Sequence, residues 1–178
     1  MAWARALCTE TPCAKSGTAP AMNPKIEIKI VDQRLRLWGL PQYQTPLAAA
    51  VDLMACLDEP MALAPQQPAV LIPTGLAMHM NSSEFCAVIL PRSGLGHKKG
   101  LVLGNGMGLI DADYTAQCFI SAWNRNAPGS GQEIVINPGE RIAQLLFLPI
   151  ARPQFEIVEE FSQVSQRGGG GFGSTGTA

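Results

Sequence analysis

The chain has 178 residues, of which 13 are Lys or Arg and 14 are Asp or Glu, so its formal net charge is −1. This balance lacks the basic excess of proteins that bind nucleic acids or anionic membranes by general electrostatic attraction, and we expect neither partner. Its 18 glycines and 14 prolines interrupt helices too often for a helical bundle. The composition therefore favours short strands joined by turns.

The N-terminal residues and the cysteines indicate the cellular compartment of the protein. Residues 1–21 are read as a disordered leader, because Arg5 and Thr9 interrupt the apolar run that a signal peptide needs. No apolar run approaches the ~20 residues that cross a bilayer. The five cysteines are widely spaced without a Cys-x-x-Cys pair, which disfavours a disulfide framework and a zinc site. A reducing cytoplasm is the expected location.

Alternating polar and apolar residues over 25–30 predict the first half-buried strand. Turn signals rich in Gly and Pro separate five later apolar segments, residues 69–72, 86–90, 117–123, 133–136 and 142–148. This spacing predicts an all-β fold, a single-domain sandwich or jelly-roll-like barrel over residues 22–163. One short helix is expected, near residues 81–85 or before the tail. The glycine-rich residues 164–178 are expected to form a flexible C-terminal arm.

Five polar or glycine-rich clusters stand out in a chain with so little charge. In chain order they are residues 50–55 around Asp52, 91–96, 105–114, 138–144 and 167–176. In the second, the Ser93 hydroxyl, backbone amides and the Arg92 guanidinium could cradle a phosphate. The third is interpreted as a hairpin that carries an amide, two carboxylates and a phenol. Taken singly, each has an ordinary structural explanation, such as a Glu140–Arg141 pair in the fourth.

In this order and spacing, the five clusters resemble the five motifs of the trimeric deoxyuridine triphosphatases (dUTPases), over residues 24–176. The resemblance implies the dUTPase fold and the Mg²⁺-dependent hydrolysis of dUTP to dUMP and pyrophosphate, with water attacking the α-phosphate. The reaction would supply dUMP for dTTP synthesis and keep uracil out of DNA. The resemblance also implies a homotrimer with shared active sites, in which the second and fourth motifs, the third motif and the tail come from three different subunits.

The resemblance assigns the nucleoside contacts to the third cluster. Asp111 matches the catalytic carboxylate, which would orient and deprotonate the attacking water. Tyr114 would lie under the deoxyribose and exclude a 2′-hydroxyl. Uracil would be read by Asn105 together with main-chain groups of Leu109, Ile110 and Phe119, in a pocket that rejects the thymine methyl and the cytosine amine.

The phosphate contacts are assigned to the other clusters. Arg92, Ser93, Gly94 and Gln144 match residues that bind the triphosphate. In the tail, Arg167 would bond the terminal phosphate and Phe172 would stack on uracil, while Ser174 and Thr175 add hydroxyl contacts. The resemblance implies that phosphate oxygens and water hold Mg²⁺ without a direct protein ligand. Asp52 would then order that water shell or brace an arginine.

Two alternatives remain. A dCTP deaminase-like enzyme of the same fold needs a glutamate that activates water at the cytosine ring, and residues 110–125 contain none. A non-catalytic nucleotide-binding relative is the alternative from another class, although every position that the chemistry needs is filled here.

Overall fold

The computed structural model describes residues 24–163 and residue 168, so the expected leader lies outside the described residues. Antiparallel strands dominate this part of the chain, which confirms the all-β prediction. The strands are β1 (Glu27–Ile30), β2 (Val51–Met54), β3 (Met61–Leu63), β4 (Val70–His79), β5 (Phe85–Pro91), β6 (Leu101–Leu103), β7 (Gly108–Ile110), β8 (Gln117–Asn124), β9 (Ile134–Ile136) and β10 (Arg141–Pro149). No helix among the described residues is long and apolar enough to cross a membrane.

Two four-stranded sheets and one two-stranded ribbon make up the fold. The first sheet has the order β1-β4-β8-β6 and the second has the order β2-β10-β5-β7, while β3 pairs with β9. Inward-facing side chains of both four-stranded sheets form one hydrophobic core, with Ile120 of β8 and Leu145 of β10 almost fully buried. In β8, buried and less buried residues alternate between this core and solvent. In β4 and β5, by contrast, five consecutive residues are buried, and β1, which was predicted to be half-buried, is mostly exposed.

The helix prediction is wrong. Residues 81–84 form a turn in which Asn81 has a positive φ of 50°, and β5 begins directly afterwards at Phe85. The α-helix of the described chain is α1 (Leu35–Trp38) instead. It follows Asp32, whose carboxylate accepts hydrogen bonds from the backbone amide and the guanidinium of Arg34. A five-residue π-helical turn, Leu95–Lys99, follows β5.

The hairpin predicted for residues 105–114 is also wrong in its strand pairing. The loop after β6 leads into β7, but β6 pairs with β8 in the first sheet and β7 pairs with β5 in the second. Each of these three-residue strands pairs instead with the edge of a longer strand, β8 for β6 and β5 for β7. The loop around Gly106, at a φ of 72°, therefore carries the chain from one sheet to the other.

Asn124 at the end of β8 is a fully buried polar side chain. Its amide nitrogen donates to the carbonyls of Leu63 and Gln132, both at 2.8 Å, and its carbonyl oxygen accepts from the Asn126 amide at 3.0 Å. One side chain thereby ties β8 to β3 and to the loop before β9. Buried polar groups that lose such partners are costly because water cannot replace them.

We predict that Asn124→Ala lowers the free energy of unfolding by about 3 kcal/mol. The Leu63 carbonyl and the Asn126 amide lose this partner, and the Gln132 carbonyl keeps only the longer bond from Nδ2 of Asn126 at 3.4 Å. Urea unfolding followed by circular dichroism measures the change. The matched control, Gln154→Ala, removes an exposed amide and should stay within about 0.5 kcal/mol of the wild type. A loss below about 1 kcal/mol for Asn124→Ala would contradict the role of this side chain.

Candidate active site

Asp52 lies on the edge strand β2 and joins two arginines. One carboxylate oxygen is 2.9 Å from Nε of Arg92, and the other is 3.1 Å from Nη1 of Arg141. The Asp52 side chain is only 13% exposed, whereas the arginine side chains are 35% and 44% exposed. The carboxylate thus holds two guanidinium groups in place while each keeps a solvent-facing part.

The Glu140–Arg141 pair expected in the fourth cluster is not formed. Glu140 instead accepts hydrogen bonds from the backbone and side-chain amides of Asn137. Arg141 reaches Asp52 because the pairing of β10 with β2 shifts register between Arg141 and Ala143. Strand alternation alone does not reveal such an irregularity, so the sequence did not identify which arginines Asp52 contacts.

Strand β10 brings the first, second and fourth clusters together. Gln144 lies opposite Asp52 of β2 on one side and opposite Leu90 of β5 on the other. Its side-chain amide donates to the Pro91 carbonyl at 2.9 Å, and Nη1 of Arg92 donates to the Arg141 carbonyl at 3.0 Å. These bonds fix the chain where it leaves β5, immediately before Ser93.

A cleft of about 510 Å³ opens at this point, and we call it the basic cleft. Its lining includes four predicted residues, Arg92, Ser93, Gly94 and Gln144, together with Asp52. Lys98, Lys99 and Gln44 also line it, and the sequence analysis did not single them out. The two lysines directly follow the second cluster, so the basic run 97–99 was the available signal.

The third cluster lies elsewhere in the protomer. Asp111 follows β7, is exposed, and lines a different cavity of about 520 Å³ with Asp113, His79 and Arg152. Tyr114 is also exposed, and its hydroxyl donates to the Gln117 carbonyl at 3.1 Å. Its backbone amide donates to the Asp111 carbonyl, so a tight turn sets the two side chains relative to each other.

The remaining predicted base contacts surround this turn. Asn105 is exposed in the loop between β6 and β7. On β7, Leu109 points to solvent and Ile110 into the core. Phe119 lies on β8 of the other sheet, opposite Pro73. The predicted tail residues Arg167, Phe172, Ser174 and Thr175 lie outside the described residues.

Asp111 and Arg92 lie at opposite ends of β5. Because Ala87 pairs with Ile110, Asp111 lies beside the start of β5, whereas Arg92 follows its last residue. Arg92 lies six positions after Cys86 in the sequence. At a rise of ~3.3 Å per residue, these six steps span about 20 Å along the strand, which exceeds the reach of both side chains to one phosphate. One protomer therefore does not bring these two groups to the same reacting centre.

The described residues offer no group of three or more His, Cys, Asp and Glu side chains that could hold a metal ion. Both carboxylate oxygens of Asp52 already accept from arginines. Magnesium commonly keeps several waters and binds through substrate phosphates with one or two carboxylates. The residues present fit a cation that arrives with a polyphosphate and is held mainly by it.

Comparison with known proteins agrees with the architecture. A deoxyuridine 5′-triphosphate nucleotidohydrolase of Burkholderia multivorans is 53% identical over 152 residues, covering 85% of this chain and 98% of the relative. One of Aeromonas salmonicida is 51% identical over 156 residues, covering 87% and 99%. The solved dUTPase of Staphylococcus bacteriophage 80alpha, in complex with dUPNHPP, superimposes with a TM-score of 0.76 at 27% identity, covering 87% of this chain and all of that chain.

The dUTPase family model matches residues 36–176, which include all five clusters. This match, together with relatives that are more than half identical over most of their length, shows the family independently of the site geometry. The chain belongs to the dUTPase family.

Proposed function

We propose that this protein hydrolyses dUTP to dUMP and pyrophosphate at active sites shared among three copies of the chain. Membership of the dUTPase family is the evidence for this reaction. The evidence for a shared site is the separation of about 20 Å between the two ends of β5, because Asp111 and Arg92 must act on one triphosphate. A second copy can place its Asp111 turn beside the basic cleft of the first.

Exposed apolar surface supports an assembly. After β10, the large apolar side chains of Phe155, Ile157 and Phe161 are 93%, 100% and 89% exposed. An apolar cleft of about 670 Å³ lies between β1 and β10, with Ile28 and Phe147 in its lining. Contiguous apolar surface of this kind marks protein interfaces. We assign it to the contacts of a homotrimer.

In the basic cleft, Asp52 acts as a brace. Its carboxylate pairs with Nε of Arg92, and the Arg141 carbonyl accepts a hydrogen bond from Nη1 of Arg92. The guanidinium is therefore held in place before the substrate arrives. Its remaining donors, the Ser93 hydroxyl and the amides at Ser93 and Gly94 then meet phosphate oxygens. A preorganised donor set costs no rearrangement when charge develops at the α-phosphate. Gln144, whose side-chain amide donates to the Pro91 carbonyl, forms another part of the cleft wall.

From another copy, Asp111 acts as the base. Its exposed carboxylate can take up a water and accept a proton as that water attacks the α-phosphorus. Tyr114 lies three residues on, its hydroxyl tied to Gln117, so its ring presents a fixed wall to the deoxyribose. Discrimination against a 2′-hydroxyl is then steric. Asn105, with main-chain groups of Leu109, Ile110 and Phe119, hydrogen-bonds the uracil edge.

We assign catalysis to the β domain of residues 22–163 and the role of an arm acting on the site of other copies to residues 164–178, most of which lie outside the described residues. Arg167 meets the terminal phosphate, Phe172 stacks on uracil, and Ser174 and Thr175 add hydroxyl contacts. Mg²⁺ would be held by the phosphates, where it would lower the negative charge that the nucleophile meets. We place the enzyme in the cytoplasm, where reduced cysteines such as the buried Cys56, Cys86 and Cys118 are stable.

A substrate panel tests the function. With Mg²⁺ present, we expect rapid pyrophosphate release from dUTP and rates at least about 100-fold lower from UTP, dCTP and dTTP, because steric and hydrogen-bond mismatches each weaken the transition state. No ammonia should form from dCTP. Ammonia release from dCTP would instead identify a deaminase. Equal rates on UTP and dUTP would contradict the proposed exclusion of the 2′-hydroxyl by Tyr114.

Replacing the proposed base separates chemistry from binding. Asp111→Asn should lower kcat at least about 1,000-fold while dUTP still binds, because the amide keeps the shape of the carboxylate but cannot take the proton. Rapid-quench turnover and calorimetric binding measure the two quantities. Glu59→Gln, at an exposed carboxylate in the loop between β2 and β3, is the matched control and should leave both unchanged. Wild-type kcat in Asp111→Asn would show that Asp111 is not the base.

Mixing inactive variants tests the shared site. A chain truncated after Gln166 lacks the arm, and Asp111→Asn lacks the base, so each should be nearly inactive alone. If base and arm come from different copies, random 1:1 mixing gives about one site in four both groups, and about a quarter of the wild-type activity should return. Mass spectrometry confirms subunit exchange. If activity stays at the level of the separate variants after exchange, each copy uses its own arm with its own base.

A further inference from the structure

We infer that Lys98 and Lys99 hold the two terminal phosphates of dUTP, the part that leaves as pyrophosphate. This inference rests on the proposed function and adds two residues to the substrate site. Both lysines line the basic cleft together with Arg92, Ser93 and Gly94. Both also line a neighbouring pocket with Glu133 and Gln132. They therefore stand at the boundary between the two, at the outer rim of the basic cleft.

The backbone that carries these lysines is anchored on both sides. At the start of the π-helical turn, the Gly96 amide donates to the Arg92 carbonyl at 2.9 Å. At its end, Nδ2 of Asn126 donates to the Lys99 carbonyl at 2.8 Å. The turn ends at Gly100, which has a φ of 80° and lies so close to Asn126 that a side chain there would collide with it. The two lysine side chains therefore extend from a backbone turn that hydrogen bonds anchor at both ends.

The charge in the cleft points to the same conclusion. Arg92 and Arg141 share the single carboxylate of Asp52, so these three residues together leave one net positive charge. A triphosphate that carries Mg²⁺ still has roughly two negative charges. Among the described residues, no carboxylate lies within ion-pair distance of Lys98 or Lys99, Glu133 included. The lysines therefore supply the positive charge that the braced arginines do not.

Geometry assigns the lysines to the terminal phosphates. Arg92, Ser93 and Gln144 surround the inner part of the cleft beside Pro91, where the α-phosphate must meet the base of another copy. The lysines lie farther along the chain, on the rim, and their four-carbon stems let the ammonium groups follow a phosphate chain that extends outward. Charge on the leaving pyrophosphate grows during the reaction, and ammonium groups there stabilise it.

The test compares two ligands that differ in the terminal phosphates. The double variant Lys98→Met/Lys99→Met keeps the stems and removes both charges. We expect its affinity for α,β-imido-dUTP with Mg²⁺ to fall about tenfold or more, the loss typical of charged hydrogen bonds. Its affinity for dUMP, which lacks the terminal phosphates, should change less than about twofold, a shift too small to reflect a lost contact. Titration calorimetry measures both.

Two further variants serve as controls. Lys98→Arg/Lys99→Arg keeps the charges and should retain most of the affinity for the imido analogue. His97→Gln changes the same turn but lines no part of the basic cleft, and should behave as the wild type. An unchanged affinity for the analogue in the methionine variant would overturn the inference, as would an equal loss for dUMP, which indicates a general disturbance of the site. Failure of the wild type to bind either ligand would overturn the proposed function instead.

Discussion

The register of β10 between β2 and β5 is the constraint on which the phosphate side of the site depends. Because Gln144 lies opposite both Asp52 and Leu90, one strand places the acidic brace, the end of β5 and its own Arg141 side by side. A slip of one residue would turn Gln144 into the core and expose Leu145, which is almost fully buried. The hydrophobic core therefore enforces the alignment of polar groups at its edge.

The same sheet supports the proposal that the site is divided between copies. Strand β5 has Arg92 directly after one end and, through its pairing with β7, has Asp111 near the other. A rigid strand cannot bring its own two ends together, so the proposed base and phosphate contacts would meet only between copies. The residues after β10 leave Phe155 and Ile157 open to solvent, and exposed apolar surface of this kind is typical of protein interfaces.

Sequence patterns predicted the strands because strands that pack on one core bury apolar side chains, as at Cys118, Ile120 and Ala122 of β8, and because Gly- and Pro-rich turns separate them. They failed where structure depends on contacts between distant segments. The short helix α1 depends on a local Asp32–Arg34 bond that periodicity does not show. The pairing of β6 and β7 with different sheets depends on which longer strand has a free edge. The clusters identified candidate residues, but the bulge that lets Arg141 reach Asp52 is visible only in three dimensions.

The proposed division of the site between copies would also couple catalysis to assembly. In that arrangement a single protomer holds the basic cleft but has no base within reach of the α-phosphate. Substrate that bridges two copies would in turn stabilise the assembly, because ligand binding and association are thermodynamically linked. The braced Arg92 fits this arrangement, since its guanidinium is already fixed within one protomer and only the partner's groups have to arrive. Association thus completes the site without having to rebuild it.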